Sequence, residues 1–83
     1  MERDITNSIG KVFRHFKGDL YLLMDIGIHS ETEEKMAIYK ALYDDYSVYV
    51  RPLNMFLSRV DKEKYPQILQ EFRFEETTIK SVK

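Results

Sequence analysis

A chain of 83 residues with no cysteine has room for a single core, and neither a disulfide nor a thiolate-bound metal can staple it. At 43% hydrophobic and 33% charged residues it is too apolar for disorder. Thirteen basic and fourteen acidic residues leave a net charge of −1, which argues against nucleic-acid binding by bulk electrostatics but leaves room for a local basic patch.

In chain order, residues 1–10 read as a polar N-terminal tail with isolated Ile5 and Ile9. They lack the apolar core of a signal peptide, and no run elsewhere is long enough to span a membrane, so the expected location is cytoplasmic. Lys11 to Lys17 alternates as a strand, and Gly18-Asp19 supplies a turn. Leu20 to His29 carries Leu20, Leu22, Met24, Ile26 and Ile28 at a period of two, the pattern of a strand with one buried face. A polar loop over residues 29–35 leads to a strand over Met36–Tyr43. Asp44-Asp45 turns the chain into Tyr46–Arg51, and Pro52 ends that strand. Leu53–Phe56 fits one helical turn and Phe56–Val60 a short strand. Asp61 is placed to cap a helical segment after it. Pro66 with Ile68, Leu69 and Phe72 predicts that short C-terminal helical segment, and Arg73–Glu75 a returning strand. Residues 77–83 read as a second tail, which leaves 11–76 as the single domain.

Aligning the apolar faces pairs Ile28 with Met36, Ile26 with Ile38, Met24 with Lys40 and Leu22 with Leu42, then Leu42 with Val48 and Lys40 with Val50. These residues form the expected inside, with Lys40 as its flaw. The expected outside carries Tyr21, Leu23, Asp25, His29, Ala37, Tyr39, Ala41, Tyr43, Tyr49 and Arg51. Short antiparallel strands with little helix predict a mainly β fold, a small SH3-like barrel whose closure removes edge strands.

The strings Phe13-Arg14-His15-Phe16-Lys17-Gly18 and His29-Ser30-Glu31-Thr32, followed by Tyr39, Ala41-Leu42-Tyr43 and Val50-Arg51-Pro52-Leu53-Asn54-Met55-Phe56, resemble a bacterial family catalogued as domain of unknown function 1653. The resemblance covers roughly residues 11–76. It implies a short stand-alone bacterial protein with no assigned activity. It also implies that Arg14, His15, Lys17, Gly18, His29, Ser30, Glu31, Thr32, Tyr39, Tyr43, Arg51, Pro52, Met55 and Phe56 belong to the family pattern. Asp44 stands where members often have Gly, and Tyr49 where they often have Trp.

Chemistry-bearing residues fall into three groups. His15 and His29 suit acid–base work near neutral pH, with Glu31 or Glu34 in reach of His29. Both are equally ordinary as packing or loop residues. Residues 30–34 are hydroxyl-rich and acidic, as a loop former or a cation acceptor would be. Tyr21, Tyr39, Tyr43, Tyr49 and Arg51 share one face, and Arg14 and Lys17 are placed to extend a positive patch. Two readings of that face stand side by side: a stacking and anion-pairing site, or a second core covered by residues 65–74. The candidate ligand-binding set is therefore Arg14, His15, His29, Glu31, Tyr39, Tyr43, Tyr49 and Arg51. No catalytic motif, metal set or cofactor is indicated. The function expected is a non-catalytic binding module for a peptide, a small anionic metabolite or nucleic acid, in a monomer or weak homodimer. The alternatives are a small or accessory enzyme with a His/Glu site, and a protein that self-associates through its tyrosines.

Overall fold

The computed structural model describes residues 5–78. A 3-10 turn at Thr6–Ser8 precedes strands β1 (Val12–His15), β2 (Leu20–Ile28), β3 (Lys35–Ala41) and β4 (Val48–Pro52). A single helical turn, α1 (Leu53–Phe56), and strand β5 (Phe74–Thr77) complete the order. All pairings are antiparallel in one sheet of order β4-β3-β2-β1-β5. The expected barrel is met in strand count and antiparallel pairing but not in closure: β4 and β5 are edges. The sheet nonetheless curls, so that the Arg51 guanidinium on one edge strand lies 5.9 Å from the Phe74 ring on the other.

Local chemistry sets the connections. Gly18 closes the β1–β2 turn at φ +109°, a conformation L side chains rarely adopt. Here Gly18 N–H donates to His15 O and His15 N–H to Asp19 O. Glu33, Asp44 and Tyr46 hold positive φ in the next two loops. Pro52 ends β4, and Leu53–Phe56 then make the expected turn of helix. No helix forms over residues 66–72. Asp61 Oδ1 accepts from the Glu63 and Lys64 amides and Tyr65 N–H bonds Asp61 O, but the turn does not propagate. Leu69, at 97% exposure, has nothing to pack on, so an apolar helical face has no reward there. Residues 58–60 and 71–73 instead run alongside each other through the Arg59–Phe72 bridge, all that forms of the strand expected at Phe56–Val60.

The inside and outside of the sheet are reversed from the expected assignment. The core consists of Phe13, Leu23, Ala37, Tyr39, Ala41, Phe56 and Phe74, with Ile5 and Val60. Ile5 thus belongs to the packed interior, although it lies in the stretch expected as a tail; residues 79–83 of the other expected tail lie outside the described residues. The grouping of Tyr21, Leu23, Ala37, Tyr39, Ala41, Tyr49 and Arg51 on one face is right, and that face is the buried one; Asp25 and His29, expected with them, are exposed, because the register of β2 shifts after Leu23. Val48, Val50, Met24 and Ile28, assigned inward, are between 43% and 61% exposed.

Two physical causes account for the reversal. Phe13, Phe56 and Phe74 pack on the tyrosine side, and Ala37 and Ala41 leave room for rings. Aromatic area outweighs the aliphatic stripe opposite. A β-bulge at Met24 then breaks the two-residue rhythm of β2. Leu23 pairs with Tyr39, but Asp25 pairs with Ile38 and Ile26 with Ala37, so Ile26 joins Leu23 on the core side. No pairing expected between β2 and β3 survives: Leu22 meets Lys40 instead of Leu42 before the bulge, and Ile26 and Ile28 meet Ala37 and Lys35 after it. In the next hairpin Lys40 meets Val48, Tyr39 meets Tyr49 and Ala37 meets Arg51. Lys40 is no flaw, because its face is not the core.

Candidate functional site

Five strands bring rings and cations together on the core face. β1 supplies His15, β2 Tyr21, β3 Tyr39, β4 Tyr49 and Arg51, and β5 Phe74; Tyr43 follows β3 and Arg73 precedes β5. Tyr21 is the hub. Its ring meets Tyr39, Tyr43 and Phe74 edge-on at 5.5 Å each, and Tyr49 and His15 at 6.4 Å. Its hydroxyl lies 2.5 Å from that of Tyr43. Burial, then this hydrogen bond, pushes the Tyr21 phenol well above its ordinary pKa, so it stays a neutral hydroxyl. Burial raises Tyr39 too, opposed by the neighbouring guanidinium of Arg51.

The cations at this site have few acids to answer them. Arg51 is half-buried, and its Nη1 is fully buried with no hydrogen-bond partner among the described residues. Arg73 Nε donates to Ser58 Oγ at 3.1 Å. The one ion pair among the described residues is Arg59–Glu71, exposed and elsewhere. His15 stacks on Phe16 at 4.5 Å and meets Phe74 at 5.0 Å. Its Nδ1 accepts the Lys17 N–H, which assigns the ring proton to Nε2. Burial, reinforced by Arg73, Arg51 and Lys17 and opposed by Asp19, lowers its pKa to about 4. The site is therefore a neutral imidazole and a ring of phenols around a desolvated guanidinium. A buried guanidinium nitrogen without a partner is costly, and a planar oxyanion is its natural complement.

Five of the eight expected residues meet here: His15, Tyr39, Tyr43, Tyr49 and Arg51. Of these Tyr39 is 4% exposed, a core residue, while Tyr49 is 45% exposed. Arg14 does not join them. It lies on the opposite face, across from Leu20 and Glu75, and its Nη1 donates to Gly18 O. His29 and Glu31 sit in the β2–β3 loop, where His29 Nδ1 accepts the Glu31 and Thr32 amides at 3.1 and 3.2 Å. Through these bonds His29 Nδ1 holds the backbone of its own loop. Of the cover expected from residues 65–74, Phe74 is buried in this face, whereas Tyr65 packs on Phe16. Sequence reasoning missed Arg73 and Phe74 as site residues. A strand over Arg73–Glu75 is legible in the sequence, but its pairing with β1 is not. Among the described residues no group of three or more His, Asp or Glu is arranged to hold a metal ion, and no helix is long and apolar enough to cross a membrane.

A small, five-stranded antiparallel sheet with a cationic, aromatic-lined core face defines the class of domain. The chain belongs to the DUF1653 family of proteins of unknown function, whose sequence profile matches residues 11–76. It is similar to the crystal structure of a DUF1653 protein from Bordetella bronchiseptica, with 26% identity and a TM-score of 0.69 over 89% of this chain and 92% of that one. No curated protein matches the chain.

Proposed function

We propose that this domain is a non-catalytic binding module that captures an anionic group, a carboxylate or its equivalent, against Arg51. The observation that carries the reading is the buried Arg51 Nη1 without a partner among the described residues. Arg73 and Lys17 add positive potential around the same aromatic wall, as their effect on His15 reports. Tyr49, 45% exposed, is accessible to a ligand beside the guanidinium, whereas Tyr39 and Phe74 form the floor. A tyrosine face used for self-association is disfavoured, because most of that face is interior.

Titration of the full chain with acetate and with sulfate, followed by the Arg51 Nε–Hε resonance, tests the reading. Saturable shifts of that resonance and of the Tyr49 ring signals are expected, lost in Arg51→Met. Equal shifts of the Tyr49 ring signals in Arg51→Met and wild type, or no shift of either reporter in wild type, would sink it.

A further inference from the structure

The anionic group has a bearer that the strand carrying Arg51 specifies. β4 is an edge, and its ladder register identifies which backbone groups are unused. Ala41 N–H donates to Ser47 O, so Ala41 and Ser47 form a hydrogen-bonded pair, and alternation makes Tyr39:Tyr49 and Ala37:Arg51 the next two. The N–H and C=O of Val48 and Val50 therefore point away from β3, and no hydrogen bond within the described residues satisfies them.

The two sheet edges are treated differently. β5 carries Glu75 and Glu76, and Ser8 Oγ donates to Glu76. At β4 the positions facing outward are Val48, Val50 and Pro52, and only Pro52, at the strand's end, lacks a donor. Val48, Tyr49 and Val50 are exposed by 51%, 45% and 59%. On the outer face, Val50 borders a shallow groove with Ile38, Met36 and Gly27. A Cβ at Gly27 would come within 3.2 Å of Ile38 Cδ1, so the glycine keeps that depression open.

We propose that an extended acidic peptide segment adds to β4 as a sixth, edge-paired strand. Resting on the anion reading above, it names that anion as an Asp or Glu side chain of the added strand. Pairing with Val48 and Val50 supplies the main-chain bonds. Because side chains alternate, an acidic residue on the core-face side reaches Arg51 beside Tyr49, while its apolar neighbours lie against Val50 and the groove. Charge complementarity selects this occupant over a second copy of the chain. In an antiparallel β4–β4 pair the core-face positions of β4 are Tyr49 and Arg51 only, which brings no carboxylate to Arg51 Nη1.

The test uses the isotope-labelled full chain and a capped seven-residue peptide of alternating valine and glutamate, with a glutamine-for-glutamate peptide as control. The valine–glutamate peptide is expected to slow hydrogen exchange at the Val48 and Val50 amides at least tenfold. The glutamine peptide, Arg51→Met and Val50→Pro should each weaken its binding at least tenfold, and Val50→Pro should leave acetate binding at Arg51 intact. Acetate binding without peptide protection of Val48 and Val50 overturns strand addition and leaves the anion site standing. Failure of acetate, sulfate and peptide alike overturns both. Equal binding of the glutamine peptide removes Arg51 as the anchor. Protection of the same amides without peptide, growing with protein concentration, assigns the edge to a second copy and overturns the proposal.

Discussion

At the scale of the single residue, His15 is the informative titrating group. Its ordinary pKa of 6.5 falls to about 4 in the fold, chiefly through burial and then through Arg73, Arg51 and Lys17. Linkage sets the sign. Above pH 6.5 both folded and unfolded chains hold the imidazole neutral and its contribution is complete. As the pH falls from 6.5 towards 4, only the unfolded chain takes up the proton, so stability declines across that window. The urea midpoint should drop between pH 6.5 and 4, and His15→Gln should flatten that drop. A bound sulfate beside Arg51 and Arg73 offsets the cations that depress His15, so sulfate should bind more tightly as the pH falls through the same range and should lessen the loss of stability. His29, by contrast, is spent on two backbone amides of its own loop. Both histidines are visible in the sequence as candidates. What separates them is the company His15 keeps across β1 and β5, a contact between distant parts of the chain that no local pattern encodes.

At the scale of the element, β2 shows what the two-residue pattern conveys and what it hides. Alternation over Leu20–Ile28 correctly predicts a strand, and membership of the tyrosine-bearing face is legible from it as far as Leu23, beyond which Asp25 and Ile26 exchange the faces expected of them. Which face is buried is not, because that depends on Phe56 and Phe74 arriving from other segments. Nor is the bulge at Met24, since an inserted residue leaves no signature in a run where nearly every side chain is apolar. The two assignments make opposite predictions about mutation. Leu23, at 0% exposure, should cost about 2–5 kcal/mol when cut to alanine, the range for a buried leucine. Ile28→Ser, at 61% exposure, should change stability by no more than about 0.5 kcal/mol. Chemical denaturation of both variants checks this, and comparable losses would contradict a core on the tyrosine side.

At the scale of the whole molecule, the fold depends on β5. Phe74 stacks on Phe56 with centroids 4.2 Å apart, meets Tyr39, Tyr21 and His15 edge-on and lies under the Arg51 guanidinium, so one ring joins strands from both edges of the sheet. Deleting such a ring costs about 3–5 kcal/mol, a large part of what a domain this small possesses. Phe74→Ala should leave a substantially unfolded chain at room temperature, visible as lost amide dispersion, while Phe74→Leu should retain the native spectrum with a lowered melting temperature. The β1–β5 ladder also sets the order of assembly. Val12 lies opposite Thr77, nearly the whole described chain away, whereas β1, β2, β3 and β4 are joined in succession by short hairpins. Loop-closure entropy therefore favours this four-stranded meander as nucleus, with the last strand docking after the rate-limiting barrier. Conservative truncations at Phe74 should then accelerate unfolding far more than they retard refolding, and synthesis must run through Thr77 before the interior can be sealed.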